Sequence, residues 1–180
     1  MIVGGAVIDG GIAGAVIERA AAGDEIAFAR IVAAHHEDMA RIAYLVSGDL
    51  DVAADAEQAA WAIIWRRLGT LRDPTRLKAW LMSVAANEAR QITRSQRRRA
   101  VRELAVDGPA SSRDPDRAAL MDLANAVAQL DHRDRVLIGL RYIAELDSEA
   151  IGRELGLSAS GVRVRLHRLL GRLRKELDDD

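Results

Sequence analysis

The segment LGLSASGVRVRLHRLLGRLRK, residues 155–175, constrains the fold of this chain more than any other stretch. Gly156 follows a short amphipathic stretch, SEAIGREL, and it predicts the left-handed residue that ends a helix. The residues that can cap the flanking helices are Asp147 or Ser148 before the turn and Ser158 or Ser160 after it. A helix, a short glycine turn and a second helix form the helix-turn-helix pattern.

The second helix of this pair is predicted to have one apolar and one basic face. The apolar face holds Val162, Leu166, Leu169, Leu170, Leu173 and Leu177. Residues 157–175 contain six basic residues and no acidic one, although the whole chain has net charge -1. A major groove accepts such a helix, because arginine reads guanine edges or holds phosphates and a small side chain such as Val164 can touch a thymine methyl. The residues predicted to face DNA are Ser160, Arg163, Val164, Arg165, His167 and Arg168.

An amphipathic helix at a membrane surface is the rival interpretation of this segment. It fits poorly, because the leucine face is needed to cover the preceding helices. The acidic tail ELDDD would also be repelled by anionic lipid. The sequence has no apolar run long enough for a membrane span, so no membrane insertion is expected.

A second cationic surface is predicted on an earlier helix. Asp73–Pro74 marks its start, since Asp caps free N–H groups and Pro suits the first helical position. The helix is predicted from Thr75 to about Arg99, and one exposed stripe of it holds Ser83, Asn87, Arg90, Arg94 and Arg97. No acidic residue one turn away on the stripe neutralises its arginines. An ordinary solvated face is the alternative, but an unneutralised cationic ridge is typical of phosphate binding.

The composition favours helices throughout the chain. Its apolar residues are mostly Ala, Leu, Val and Ile, aromatic residues make up 3%, and there are 3 prolines among 180 residues. We therefore predict an all-α fold of two small helical domains, residues 23–104 and 118–180, with the helix-turn-helix in the second. Residues 105–117 gather Gly, Pro, Ser and Asp without helical periodicity and are predicted to form a linker.

Residues 1–22 are rich in glycine and are predicted to be a flexible extension, with a partner-binding arm as the alternative. Asp9 interrupts their apolar run and no positive residue precedes Arg19, which argues against a secretory signal.

Apolar periodicity predicts two further helices in the first domain. The first covers DEIAFARIVAAHHEDMARIAYLV, with a break possible near His35–His36, and the second covers VAADAEQAAWAIIWRRL. The residues placed on the buried stripe of the first are Ile26, Ala29, Ile31, Val32, Met39, Ile42, Ala43 and Val46. Between residues 49 and 57 the chain carries acidic residues and no basic ones, which predicts an acidic patch.

Nothing in the sequence indicates catalysis. His35 and His36 precede two acidic residues, but sequence neighbours diverge around a helix and do not converge on a metal. No glycine-rich phosphate loop, nucleophile elbow or zinc-protease motif occurs. With 0 Cys there is no thiolate site or disulfide. We expect no enzyme activity, no metal and no cofactor.

Two other functions remain open at this point. The chain could be a stand-alone helix-turn-helix transcriptional regulator with an N-terminal helical sensor or dimerisation domain, but such a domain would not need a second basic ridge. It could also be a helical adaptor that binds no promoter.

In the order of its motifs, the chain resembles bacterial RNA polymerase sigma factors of the extracytoplasmic-function (group IV) type, in the sigma-70 family. LDHRDRVLIGLRY and the segment 155–175 are similar to the region 4 helix-turn-helix. DAEQAAWAIIWRRL is similar to region 2.2, and RDPTRLKAWLMSVAANEARQITRSQRRR to regions 2.3 and 2.4. The chain departs from the family pattern at Trp61, Gln58, Asp131–His132 and Gly161, so contacts at those positions are expected to differ in detail.

The resemblance implies an alternative sigma factor that binds core RNA polymerase and directs promoter recognition, DNA melting and initiation. The residues it assigns to the clamp helices of the polymerase are Asp51, Asp55, Glu57, Gln58, Trp61 and Trp65. Those it assigns to the −10 element and strand separation are Arg72, Thr75, Arg76, Trp80, Ser83, Asn87, Arg90, Arg94 and Arg97, with a core role for Trp80 as the alternative. The DNA-facing residues of the last helix would contact the −35 element. Further implied partners are the polymerase flap and an anti-sigma factor, and the implied location is the bacterial cytoplasm, on the nucleoid when the protein is active.

Overall fold

The computed structural model describes residues 7–8, 12–100 and 115–178, and within them the chain forms eight α-helices and one pair of two-residue strands. In chain order these elements are β1 (Val7–Ile8), β2 (Ile12–Ala13), α1 (Gly14–Ala21), α2 (Glu25–Ser47), α3 (Leu50–Arg67), α4 (Leu77–Ala100), α5 (Pro115–Gln129), α6 (His132–Ile138), α7 (Ser148–Leu155) and α8 (Ala159–Asp178). Short 3-10 turns cover Leu68–Thr70 and Pro74–Arg76, and a π turn covers Gly139–Ile143. The strands pair antiparallel, Val7 with Ala13 and Ile8 with Ile12. The predicted all-α class is confirmed.

Local capping signals fix the ends of the first long helices. An Asp24 carboxylate oxygen accepts the Ala27 N–H at 2.9 Å and starts α2. Gly48, with φ of 75°, ends α2 in the left-handed conformation. Asp49 then caps α3 through the Val52 N–H at 3.0 Å. The break predicted near His35–His36 is wrong, because the buried His35 continues the core-facing stripe of an unbroken helix.

The first module is built from α1, α2, α3 and α4. The last three pack against one another, and their fully buried side chains include Ile31, Met39, Ile42, Ile64 and Leu81. Two residues predicted to be buried on α2 are exposed, because Ile26 and Ala29 point away from α3 and α4 in the first turns. Part of the predicted extension also belongs to this module, since α1 packs on α2 and buries Ile17 and Ala20. The rest of residues 1–22 lies largely outside the described residues.

The second module contains the predicted helix-turn-helix in α7 and α8. Gly156 has φ of 67°, and the Leu157 N–H donates to the Gly152 carbonyl at 2.8 Å, which closes the turn. Asp147 caps α7 by accepting two backbone N–H groups, and Ser158 caps α8 by accepting the Gly161 N–H at 3.0 Å. Leu157 stays partly exposed, although the turn carries it back toward α7.

The two modules pack on each other, and one apolar cluster runs through both. α6 and the π turn lie on α2, while α7 lies on α4. Gly139 allows this approach, because a Cβ there would lie 3.2 Å from Ile42 Cγ1 and from Leu45 Cδ2. At the edge of the seam Arg76 and Glu154 form an ion pair at 3.0 Å. Most of the predicted linker, residues 105–117, lies outside the described residues, but residues 115–117 already belong to α5.

Candidate nucleic-acid interface

The basic face of α8 is exposed as the sequence predicts. Its apolar face packs into the module through Val162, Leu166, Leu169 and Leu173. On the opposite face the exposed residues are Ser160, Arg163, Val164, His167 and Arg168. Val164 is 49% exposed, so its apolar side chain is available to a partner. None of these side chains forms an ion pair within the described part of the chain, so the face is free to meet an anionic partner.

Arg165 differs from the other predicted DNA-facing residues, because it is bound within its own module. Its Nε donates to Asp134 at 2.7 Å, and Arg172 donates to the other oxygen of the same carboxylate at 2.6 Å. Asp134 is only 4% exposed. The two arginines lie on the flank of α8, next to the apolar face, and tie that helix to α6. The structure therefore gives Arg165 a holding role that the spacing of the sequence does not reveal.

The second predicted surface is the α4 ridge, which we define as Ser83, Asn87, Arg90, Arg94 and Arg97. Asn87, Arg90 and Arg94 are exposed, and no ion pair among the described residues involves the two arginines. Ser83 is half-buried, and its Oγ is enclosed without a hydrogen-bond partner among the described residues. The side chain of Arg97 lies outside the described residues. Trp80, one turn before Ser83, packs half-buried against the core, as the core alternative for it predicts.

The loop before α4 is ordered by Asp73. One carboxylate oxygen accepts the Thr75 hydroxyl at 2.6 Å and the Thr75 N–H at 3.0 Å, and these bonds lower the pKa of Asp73 below its usual range. Thr75 is exposed with its hydroxyl already engaged, and Arg72 is exposed. Arg76 points to the second module, where it pairs with Glu154. Of the three predicted loop contacts, Arg72 is therefore the one that forms no side-chain hydrogen bond or ion pair with a described residue.

The α4 ridge faces the second module across a cavity of about 360 Å³. Asn87 and Arg90 line it from α4, while His132 and Leu155 line it from α6 and α7. Burial together with the Arg90, Arg135 and Arg133 charges lowers the pKa of His132 to about 4, against a smaller opposing effect of Asp131. A neutral imidazole therefore lies between cations of both modules near pH 7. In this arrangement a duplex cannot approach the whole ridge, because α6 and α7 cover part of it.

The residues assigned to the polymerase split into two faces of α3. Asp51, Asp55 and Gln58 are exposed on one stripe, and the 39% exposed Trp65 continues it. Glu57 and Trp61 lie on another face, where Trp61 Nε1 donates to Glu57 at 3.1 Å. The Phe28 ring contacts both tryptophans edge to face, with centroids 5.8 Å from Trp61 and 4.8 Å from Trp65. The acidic stripe is thus available to a partner, while Trp61 is packed against the first module.

Several functional contacts carry no signal in the sequence. Asp134 and Glu154 pair with arginines far away in the chain, and Arg90 of the first module acts on His132 of the second. Among the described residues, no three His, Cys, Asp or Glu side chains come together in a metal-binding arrangement. The helices in the described part of the chain also lack the combination of length and apolarity that a bilayer span requires.

Family models match both modules in the predicted order. Residues 31–99 match Sigma-70 region 2, and residues 120–173 match Sigma-70, region 4. The first match contains α3 and the whole α4 ridge, and the second contains the helix-turn-helix.

Curated relatives agree with the family models. The sigma factor CarQ of Myxococcus xanthus is 35% identical over 134 residues, with 71% of this chain and 76% of that protein covered. The RNA polymerase sigma-E factor of Streptomyces coelicolor is 30% identical over 159 residues, with 86% and 88% covered. The probable sigma factor RfaY of Xanthomonas campestris pv. campestris is 31% identical over 175 residues; the match covers 89% of this chain and 43% of that longer protein.

Solved structures show the same arrangement of helices. The structure of CnrH in complex with the cytosolic domain of CnrY has a TM-score of 0.71 and 26% identity, with 92% of this chain and 97% of that one covered. The sigma factor RpoE of Bartonella quintana, solved with the anti-sigma factor NepR, has a TM-score of 0.67 at 22% identity, with 85% and 98% covered, and supports the fold alone.

Proposed function

The chain belongs to the sigma-70 family of bacterial RNA polymerase sigma factors, in the extracytoplasmic-function group, and we propose on that basis that it binds core RNA polymerase and directs it to promoters. One observation carries the proposal: each module presents its own cationic helix face, and the arginines of these faces have no acidic partner among the described residues. Arg90 and Arg94 form the first face, and Arg163 and Arg168 form the second. Two such faces suit two successive stretches of one promoter.

The second module would bind the −35 element with α8. Arg163 and Arg168 can reach base edges or phosphates, and Val164 can contact a thymine methyl. Ser160 and His167 lie on the same exposed face. Arg165 is expected to act indirectly, because Asp134 already binds it.

The first module would bind and open the −10 element. The α4 ridge and Arg72 supply cations for phosphates, and Asn87 supplies an amide that can both donate and accept hydrogen bonds. A base flipped from the separated strand costs a few kcal/mol of lost stacking, which contacts to that base would offset. The ridge must first be uncovered, because α6 and α7 lie against it and Arg76 is paired with Glu154. We therefore propose that the modules separate when the promoter is bound.

The clamp helices of the polymerase would bind the exposed stripe of α3 that contains Asp51, Asp55, Gln58 and Trp65. The flap of the polymerase would bind the second module. The polymerase performs the chemistry, so the chain itself is proposed to catalyse no reaction. With these proposed partners, we propose that it acts in the bacterial cytoplasm, and on the nucleoid when it is active.

An anti-sigma factor is the proposed inhibitor. An apolar groove of about 710 Å³ runs between α2, α5, the π turn and α8, with Tyr44, Leu123 and Tyr142 partly exposed in it. Both modules line this groove, so an amphipathic helix of the inhibitor lying there would hold them together and keep the α4 ridge covered. The likeness to CnrH, which was solved in complex with the cytosolic domain of CnrY, supports a protein partner for this chain.

Transcription with purified core enzyme on a library of genomic fragments tests the proposed function. The wild-type chain is expected to direct initiation at a defined set of promoters. Arg94→Ala should lower strand opening at those promoters, measured by permanganate reactivity of unpaired thymines. Arg30→Ala, at an exposed position on α2, is the control and should behave as wild type. A wild-type chain that neither binds core enzyme nor directs initiation would refute the proposal.

A further inference from the structure

A cleft between the modules collects positive charge from both of them. Its volume is about 470 Å³, and α4 lines it with Arg90, Arg94 and Arg98. The second module contributes His132 and Arg135. Arg98 and Arg135 were not among the residues that the sequence assigns to DNA.

The charges that α4 contributes to this cleft are not neutralised by ion pairs among the described residues. Arg90, Arg94 and Arg98 form no ion pair with any described residue, and no acidic side chain lines the cleft. His132 Nδ1 is enclosed and has no hydrogen-bond partner among the described residues. Arg90, Arg94 and Arg98 are exposed and repel each other along one side of the cleft. An anion bound between α4 and α6 would relieve that repulsion and stabilise the packed arrangement.

The spacing of the arginines indicates what kind of anion fits. Residues 90, 94 and 98 lie one turn apart along α4, which places successive guanidinium groups about 6 Å apart along the axis. A single phosphate cannot reach all three, whereas a short chain of phosphates can. A DNA duplex is too wide for a cleft of this volume, because α6 covers its other side.

We propose that the cleft between α4 and α6 binds a linear polyphosphate anion, either inorganic or attached to a nucleoside, and that the bound anion holds the two modules together. The arginines of α4 would form charge-assisted hydrogen bonds with successive phosphates, and neutral His132 would donate one from Nδ1. If the proposed function is correct, this ligand competes with the promoter, since Arg90 and Arg94 serve both.

Calorimetric titration of the full-length chain with tripolyphosphate tests the site without polymerase or promoter, so the result does not depend on the proposed function. Sulfate at the same ionic strength measures unspecific attraction. The wild type should bind tripolyphosphate well above the sulfate background. Arg98→Gln should weaken binding about tenfold. Arg30→Gln removes an exposed charge outside the cleft and should bind as wild type.

A second variant asks whether the site needs both modules. Gly139→Leu inserts a side chain where a Cβ is already 3.2 Å from Ile42, so it should separate the seam and lose tripolyphosphate binding while helical content is retained. If that variant does not fold, the comparison of tripolyphosphate binding by Arg98→Gln and by Arg30→Gln decides whether the cleft is the binding site. Binding no stronger than that of sulfate, equal binding by those two variants, or unchanged binding by a folded Gly139→Leu chain would overturn the proposal.

A parallel titration with a nucleoside triphosphate distinguishes the two sources of the ligand. Equal affinity for both compounds assigns recognition to the phosphate chain, and tighter binding of the nucleotide adds contacts from its base or sugar. Either result supports a polyphosphate site.

Discussion

The carboxylate of Asp134 accepts hydrogen bonds from Arg165 and Arg172, and its backbone N–H donates to the carboxylate of Asp131 at 2.8 Å. A carboxylate this deeply buried is stable only when its charge is matched, and two arginines of α8 provide the match. The arginines of α8 therefore fall into two groups. Those on the flank hold the helix in place, and those on the exposed face, such as Arg168, are available to DNA.

Replacing Asp134 with alanine tests the holding role. Arg165 and Arg172 would lose their shared acceptor, and because both are partly exposed the cost should be moderate, about 2 kcal/mol of unfolding free energy. Urea denaturation measures it. Asp122→Ala, at an exposed position on α5, is the matched control and should change stability little. Equal effects of the two substitutions would show that the clamp contributes nothing.

Alanine substitutions of Arg168 and Arg165 are expected to affect different properties of the protein. Arg168→Ala should leave the melting temperature unchanged and weaken transcription about tenfold at promoters that share a particular −35 base, because it removes a contact to DNA. Arg165→Ala should lower the melting temperature and reduce output similarly at all promoters. Parallel transcription of a −35 sequence library, with thermal melts of both variants, measures the contrast. A uniform effect of Arg168→Ala across the library would contradict base recognition by this residue.

Among the secondary-structure elements, the helix pair α7–α8 depends on the absence of a side chain at Gly152. A Cβ there would lie 2.6 Å from the Leu157 carbonyl oxygen, and that backbone cannot move without opening the turn. Gly171 in α8 has open space around its Cα. The same substitution should therefore have opposite consequences at these two glycines.

Gly152→Ala should destabilise the chain by about 2 kcal/mol through overpacking, and Gly171→Ala should stabilise it by about 0.5 kcal/mol through a better helix propensity. Thermal melting followed by circular dichroism gives both values. A similar loss of stability in both variants would contradict this explanation, because only Gly152 lies against the backbone of the turn.

The sequence predicts these elements well where the cause is local. The capping roles of Asp73, Asp147 and Gly156 follow from neighbours within a few residues, and the structure confirms them. The break near His35–His36 was wrong, because a buried histidine on the core stripe has the same spacing as an apolar residue. The apolar periodicity alone predicts the unbroken helix correctly, and the polar character of the histidines led to the wrong break.

Contacts between distant parts of the chain could not be predicted in this way. Arg76 meets Glu154 across 78 residues, and Arg165 meets Asp134 across 31. Neither pair has a periodic or motif signal, since each depends on how whole helices pack. For the same reason the sequence indicates the α4 ridge but not the module that covers it. The DNA contacts themselves stay a prediction.

At the scale of the whole molecule, the seam between the modules combines apolar packing with positive charges from both modules. Gly139 lets α2 and the π turn approach closely, and the Arg76–Glu154 pair closes one edge. Against this, Arg90 and Arg135 lie near each other around His132. The packed arrangement is therefore stable while His132 is neutral, and a further positive charge at that point should favour separation.

Acid is expected to open the seam through His132. In the packed molecule, burial and the charges of Arg90, Arg135 and Arg133 lower the pKa of His132 to about 4, and Asp131 opposes this shift. In the open molecule the pKa should return toward 6.5. The open form thus binds the proton more readily, and separation of the modules should grow as pH falls from about 6.5 toward 4 and be absent near pH 7.

Energy transfer between dyes on α3 and α8 measures this separation, using two introduced cysteines in a chain that has 0 of its own. His132→Gln keeps a polar side chain that does not titrate, so its transfer efficiency should stay nearly constant over that range. An identical pH profile for wild type and His132→Gln would show that the histidine does not drive the opening.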